Sequence, residues 1–511
     1  MKFKYTKPLT ITLLLGLFFL TRIWKLASLP FGIHIDEAGM AYDAWCLAEY
    51  GVDRHLKSWP LYLQNFGSGQ SSLYAFLCAG LFKIFGYHPV LIRIPGVLSS
   101  LVTLIFGTKL ALKLNRDFYK SMFLGLLITI CPYFIMASRI GLDCNLMLGV
   151  STAFLWLFAH ALETGRPRYY VLAGIVGGLV LYTYALSYIV LPLFLLFVLI
   201  YVAWTRKFSW QGWLAMAIPM GILAAPLMAI QCINMFDLPE MKLGFFTLTK
   251  LGTYRISELG MFKWQNFTDL LHIIFTGDTL TYNSVPQYHN LYVISNILFI
   301  PGLISMIIKT VRSVKHRDFD NHTLPFLWFV SFLLFAGHTT MTSVNKANGI
   351  FFVTILIALE GLLFICGLCK KYSKIIITCI CGIYALCFLF FARYYFMGSY
   401  TAETYPLSYF EIDAEEAFKL IEENEDFQDD ITYFTGDKIY YALFTRISPY
   451  ELMIDEIEGA TFRNYWFSAL GAIEDGYNYI VRDGFEEYCN QLRDAGFAEI
   501  RYNHYSFFYK E

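Results

Sequence analysis

Eleven apolar runs dominate the chain, near residues 8–27, 91–112, 121–137, 145–163, 169–186, 188–204, 213–232, 289–309, 324–340, 348–369 and 374–396. Lipid offers no hydrogen bonds, so a segment that crosses it must satisfy its own backbone. Runs of roughly 20 residues do so as helices. The expected fold is therefore an α-helical polytopic membrane protein with about 11 transmembrane helices. Composition agrees: 57% of the residues are hydrophobic and 15% charged, against about 25% charged in a soluble domain. Membrane lipids are expected partners and nucleic acid is not.

Charge is distributed unevenly. From Thr401 onward there are 24 Asp/Glu against 8 Lys/Arg, although the whole chain carries a net charge of only −1. Such a segment does not sit in lipid, so 400–511 is expected to be a separate, acidic, soluble domain. Its pattern reads as α/β: a helix at "AEEAFKLIEENEDF", a strand at "DDITYFTG", then strand, helix, strand and strand from Tyr477. It shows no nucleophile, metal motif or glycine-rich phosphate loop, and reads as a cap or acceptor-recognition module. The 11 cysteines lie mostly within apolar runs, and the lone Cys366/Cys369 pair has no second pair to complete a zinc site, so no disulfide framework is expected.

The short connections "KLNRDFYK" (113–120), "GRPR" (165–168), "TRK" (205–207), "KTVRSVKHR" (309–317) and "KKYSK" (370–374) are basic, which places them in the cytoplasm together with the N-terminus. The first run is read as an uncleaved anchor, because Arg22 and Lys25 interrupt its end and a helix continues at "DEAGMAYDAW". The segment 71–86 is about 16 residues long and carries Lys83. That is short for a crossing, so it is expected to lie in the interface. The loops 28–90 and 233–288, the turns 138–145 and 343–348, and the C-terminal domain then all fall on the extracytoplasmic side of a multi-pass plasma-membrane protein.

That side collects Asp36, Glu37, Asp43, Asp53, Arg54, Arg93, Arg139, Asp143 and Lys346. Charges at a membrane edge are costly, and each is a candidate for function. Carboxylates could take a proton or hold a metal. Cations could bind a phosphate, and a phosphate at this depth suggests a sugar carried on a polyprenyl phosphate. Breaking the sugar C1–O bond leaves charge on phosphate, which Arg or Lys stabilises, while a carboxylate deprotonates the acceptor hydroxyl. Adjacent helical residues point about 100° apart, so Asp36 and Glu37 cannot share one role. Structural roles are open beside these. Asp36 could cap the helix that follows it, and Glu37 could favour the helix dipole. Arg93 could anchor the second span, Asp143 could pair with Arg139 in a turn, and Lys346 could snorkel. The sequons at Asn266 and Asn321 are read as chance matches, and the aromatic "YALSY" (184–188), on an outer turn, is read as a membrane belt with stacking on a sugar as the alternative.

These residues resemble the bacterial membrane glycosyltransferases of the GT-C superfamily, in the protein O-mannosyltransferase and aminoarabinose transferase group (family 39-like). The likeness rests on the Asp36-Glu37 pair after the first span, "YHPVLIRIPGVLSS" (87–100), "SRIGLDCNL" (138–146) and "SVNKANGIFF" (343–352), and covers about 5–395. It implies a transmembrane catalytic domain, 1–399. Asp36 would be the catalytic base and Glu37 its neighbouring carboxylate. Arg93, Arg139, Asp143 and Lys346 would be substrate-binding, with Lys346 where relatives often carry Arg. The activity implied is inverting transfer of a sugar from a polyprenyl-phosphate donor to a glycan, lipid or protein acceptor. Members of the superfamily differ in whether a divalent metal sits among the carboxylates, and the residues here are compatible with either. The chain departs from its relatives at "NFGSGQSSLYAF" (65–76), where many have a "PPL" stretch, and the 233–288 loop holds no MIR-type domain. The rival readings are a transporter or flippase of polyprenyl-linked glycans and an inactive scaffold. The first would need charges spread through the bundle and symmetry between its halves.

Overall fold

The computed structural model describes residues 6–65, 68–251, 260–278, 282–339, 343–398, 400, 410–424, 427, 430–454, 461–467, 471–502 and 504–510. Each apolar run forms helix. Among the described residues, eight helices are long and apolar enough to cross a membrane: Thr6–Ile23 (α1), Pro89–Asn115, Cys144–Thr164, Ser187–Trp204, Trp210–Met235, Tyr292–His316, Asn348–Leu368 and Lys370–Met397. Three more of the runs give shorter helices, Phe118–Ile130, Pro167–Leu181 and Thr323–Ala336. The run at 121–137 breaks at Cys131, which is extended (φ −70°, ψ 141°) because the following Pro132 disfavours a helical residue before it.

The bundle has two chemically distinct ends. At one, the basic connections meet. Lys113 pairs with Glu163, Trp204 Nε1 donates to Val314 O at 2.9 Å, and the buried Glu360 accepts from Asn115 at 2.9 Å and Lys309 at 2.6 Å. At the other end, the two long loops interlock. Leu61 N donates to Thr247 O at 3.0 Å, Thr247 Oγ1 to Ser58 O at 2.9 Å, and Lys57 pairs with Glu240 at 2.9 Å. The first loop contains a two-residue strand, β1 (Ile33–His34), a helix, α2 (Ile35–Tyr50), a hairpin, β2 (Tyr62–Asn65) with β3 (Ser68–Ser71), and a second helix, α3 (Ser72–Phe85). Helix α3 is only 14 residues long. It buries one face, from Ser72 through Phe82, and Lys83 caps the Ala48 carbonyl at 3.0 Å.

The C-terminal domain is built on a mixed six-stranded sheet in the order 498–501, 505–509, 477–482, 431–434, 465–467, 461–462. The strand, helix, strand, strand pattern expected from Tyr477 is present, as Tyr477–Arg482, Glu486–Asp494, Ala498–Arg501 and Tyr505–Tyr509. The helix Lys438–Thr445 and the 461–467 hairpin were not legible. Both are short, and the helix "KIYYALFT" buries six of its eight residues, which leaves no polar stripe to set its period.

This domain docks on the first loop. Ile33 and His34 pair antiparallel with Glu411 and Phe410, and Tyr42 Oη donates to Ile447 O at 2.7 Å. One hydrophobic cluster joins Ala38, Tyr42 and Trp45 of α2 to Tyr440, Phe444 and Phe507 of the domain.

Glu411 is buried in that joint at 4% exposure, and burial pushes its carboxyl up to about 7 against the opposing pull of Arg482 and the Ile412 amide. A raised carboxyl favours the docked, protonated state. Its contribution is complete below about pH 4.5 and is lost as pH rises through about 7, a change of about 3 kcal/mol. Amide exchange at Ile33, His34 and Glu411, corrected for intrinsic rates, should therefore be faster at pH 8 than at pH 6. The difference should vanish in Glu411→Gln. Equal protection at both pH values would show that the joint does not titrate there.

Candidate functional site

The start of α2 is set by three residues. His34 is extended (φ −67°, ψ 148°) and is the cap: its Nδ1 accepts from Asp36 N at 3.2 Å, while the Glu37 carboxylate accepts from His34 N at 3.2 Å. This is a reciprocal capping box, with His34 in the place usually held by Ser or Thr. The capping role that Asp36 could have filled thus belongs to His34, and the Asp36 side chain points elsewhere. Burial lowers the imidazole pKa of His34, against the pull of Asp36 and Glu37.

Glu37 and Asp36 face different surroundings. The Glu37 side chain is wholly buried and accepts from Arg93 Nε at 3.0 Å, Arg93 Nη2 at 3.3 Å and Gly141 N at 2.8 Å. Arg93 donates its remaining N–H groups to the carbonyls of Leu26 (2.8 Å), Pro30 (3.1 Å) and Gly32 (2.6 Å). All five guanidinium donors are then used. Arg139, buried at 0% exposure, donates to the carbonyls of Thr21 (3.1 Å), Arg22 (2.9 Å), Trp24 (2.8 Å) and Leu29 (3.3 Å). It caps the orphan carbonyls at the end of α1, where a cation also complements the helix dipole. The two arginines thus hold the segment 21–32 that leads into α2.

The Asp36 side chain is 44% exposed and lines a cavity of about 260 Å³. Behind it runs a polar chain. Asn65 Nδ2 donates to Asp36 Oδ1 at 3.4 Å, Arg54 Nη2 donates to Asn65 Oδ1 at 3.2 Å, and Arg54 forks onto Asp43 at 2.9 and 2.7 Å. Asp53 anchors the same loop through Oδ1, which accepts from His55 N and Lys57 N at 2.9 and 2.8 Å.

Asp143 and Lys346 line the same cavity. Asp143 caps the helix Cys144–Thr164 by accepting from Cys144 N at 2.7 Å, and its second oxygen accepts from Ser71 N at 2.9 Å, which ties β3 to that helix. Lys346 sits in a turn secured by Val344 N to Asp278 (2.7 Å) and by Asn348 to Asn145 (3.0 Å). The structure therefore brings Asp36, Asp143 and Lys346 to one cavity, while Glu37, Arg93 and Arg139 form the frame beside it. Asn65, Gln70 and Tyr282 also line the cavity and carried no sequence signal as individuals. Tyr184, expected in a membrane belt, lines it as well. The Tyr282 ring lies 4.4 Å from the ring of His34, which in turn lies 5.3 Å from Phe410 of the docked domain. Among the described residues, no group of three or more His, Cys, Asp and Glu is placed to hold a metal ion.

Comparison with known proteins agrees with the architecture. The family model for dolichyl-phosphate-mannose-protein mannosyltransferase matches residues 70–229, which include Arg93, Arg139 and Asp143 but neither Asp36 nor Lys346. The chain superposes on ArnT from Cupriavidus metallidurans bound to undecaprenyl phosphate with a TM-score of 0.56, at 11% identity, over 98% of this chain and 97% of that one. The apo form of ArnT gives the same values. The Archaeoglobus fulgidus oligosaccharyltransferase in the apo form matches with a TM-score of 0.48, at 14% identity, over 88% of this chain and 64% of that one. No curated protein sequence matches the chain. The chain thus shares the overall fold of ArnT, a bundle of apolar helices carrying a small C-terminal sheet domain, and the family model covers part of that bundle.

Removing one partner of a buried, hydrogen-bonded ion pair strands the other, at a cost of about 3–5 kcal/mol. Glu37→Gln and Arg93→Met should each lower the detergent-solubilised unfolding midpoint clearly. Arg93→Lys should rescue little, because an ammonium cannot serve three carbonyls and a carboxylate at once. Wild-type midpoints in both single variants would show that the pair does not hold the fold.

Proposed function

We propose that this membrane protein is an inverting glycosyltransferase of the GT-C type, moving a sugar from a polyprenyl-phosphate donor to a hydroxyl-bearing acceptor at the extracytoplasmic end of the bundle. The observation that carries the reading is the division of labour in the acidic doublet. Glu37 is locked into Arg93, whereas Asp36 stands at a cavity that also receives Lys346. The undecaprenyl phosphate bound to ArnT and the mannosyltransferase family model support the donor class.

In this reading Asp36 accepts the acceptor's hydroxyl proton on a carboxylate oxygen. The acceptor oxygen forms its bond to sugar C1 from the face opposite the phosphate. The C1–O bond breaks, and its electron pair leaves on the phosphate oxygen. The Lys346 ammonium offsets the charge that grows there. Lys346 supplies a point charge where relatives use a planar fork, so it stabilises the phosphate without orienting it bidentately. Asp143 positions β3 at the cavity wall through Ser71. Arg93 and Arg139 are positioning residues in this scheme: their donors serve the frame that aims Asp36 and do not reach the donor phosphate. Tyr184 and Tyr282 offer flat apolar surfaces to a sugar ring.

The test is transfer from radiolabelled undecaprenyl-phosphate sugars in proteoliposomes. Asp36→Asn keeps size and hydrogen bonding but cannot take the proton, and should lose about 10²–10⁴-fold in rate with an unchanged unfolding midpoint. Lys346→Met should also lose rate, and Lys346→Arg should recover most of it. Wild-type transfer by Asp36→Asn would end the base assignment.

A further inference from the structure

The hairpin β2–β3 is the part of the first loop where the sequence departs from its relatives, and it carries an unexplained buried polar group. Gln70 lines the Asp36 cavity, is only 5% exposed, and its Oε1 has no hydrogen-bond partner among the described residues. A carboxamide oxygen held away from water without a partner costs about 1–3 kcal/mol, so a native structure retains one where something else completes it.

The position of Gln70 is rigidly set on both sides. Leu63 and Gln70 face each other across the hairpin. On the preceding residue, a Cβ at Gly69 would fall 1.9 Å from the Tyr62 ring, so the ring packs directly on that backbone and only glycine fits there. On the following residue, Ser71 N is held by Asp143 at 2.9 Å. The backbone that carries Gln70 is therefore held in place, and its carboxamide oxygen is buried at the cavity wall. The same hairpin bears Asn65, which donates to Asp36. One short element thus supports Asp36 at one end and presents an unsatisfied amide at the other.

We infer that Gln70 is a specificity residue whose amide takes a ring hydroxyl of the sugar bound in the cavity. The ligand class rests on the transferase reading above. A hydroxyl is the natural complement, because it donates to the free Oε1 and is carried at several positions of any hexose. A site built to bond a hydroxyl rejects an analogue that lacks it, since the protein group is then left buried and unpaired. Gln70 therefore selects among lipid-linked sugars by the presence and orientation of a single hydroxyl, while Asp36 and Lys346 act on whatever sugar is seated.

The test is a deoxy scan. The full-length protein in nanodiscs is titrated with undecaprenyl-phosphate-linked mannose, glucose and galactose, and the best-bound of them is compared with its monodeoxy analogues. In wild type, loss of one particular hydroxyl should weaken binding about tenfold or more, and in Gln70→Met the same loss should change binding less than about twofold. Gln70→Glu, which keeps an acceptor oxygen in the same place, should retain the discrimination. If no deoxy position matters in wild type, or if Gln70→Met keeps the full ratio at that position, the inference is overturned. Asp36→Asn run in parallel separates the two readings. Its binding should keep the wild-type deoxy ratio while transfer is lost. Discrimination in wild type without transfer would sink the transferase reading and leave Gln70 standing. Transfer without discrimination would do the reverse, and failure of all three sugars to bind would overturn both.

Discussion

A carboxylate and a guanidinium buried together at one end of the bundle, Glu37 and Arg93, hold the elements on which the candidate site depends. The pair alone would be an uncertain asset, because desolvating two charges costs several kcal/mol each. Here the charges are embedded in further hydrogen bonds. Glu37 also caps His34 and takes the Gly141 amide, and Arg93 also takes three carbonyls from the segment 26–32. Four separate pieces of chain meet at these two side chains: the linker after α1, the start of α2, the start of Pro89–Asn115 and the turn at 141. The linker has few partners for its carbonyls other than arginines, since it lies between two helices and not in a sheet. Arg139 repeats the device one turn earlier.

This arrangement explains why two adjacent carboxylates do different things. On a helix, neighbours diverge by about 100°. Once Glu37 is committed to the frame, Asp36 must face outward from it, toward the cavity shared with Asp143 and Lys346. The motif 138–146 is accordingly spread over three tasks. Arg139 closes α1, Gly141 serves Glu37, and Asp143 caps a helix while holding β3. The C-terminal domain joins the same assembly. Its strand Phe410–Glu411 pairs with β1, one residue before α2, and Phe410 packs on the ring of His34. The domain therefore bears on the cap that starts the helix of Asp36.

Much of the architecture was legible because the physics that imposes it is local. Each apolar run became helix, the basic connections gathered at one end, and the short segment 72–85 stayed out of the long-helix class because it is too short. What was not legible depends on pairing across the chain. The Lys438–Thr445 helix is buried nearly all round and shows no period. Tyr184 looks like any other interfacial tyrosine until Tyr282, about a hundred residues away, is seen to line the same cavity. Arg93 and Arg139 looked like phosphate ligands because a membrane-edge cation without a visible partner suggests an anion. Arg139 donates to backbone carbonyls, and Arg93 to three carbonyls and to Glu37; carbonyls occur in every sequence and none advertises a partner.

The sequence by itself determined the solvent each segment can tolerate: which runs lie in lipid, which loops and which domain lie outside it, and that the costly acidic pair at 36–37 needs a reason. Hydrophobicity and charge act residue by residue, so they can be read from the chain. Only the tertiary structure decided that Glu37 is spent on the frame while Asp36 faces a cavity, and that Gln70 is buried with a carboxamide oxygen that no described group meets. Those outcomes turn on where hydrogen-bond partners converge in space, and convergence of residues tens to hundreds of positions apart leaves no trace in local pattern.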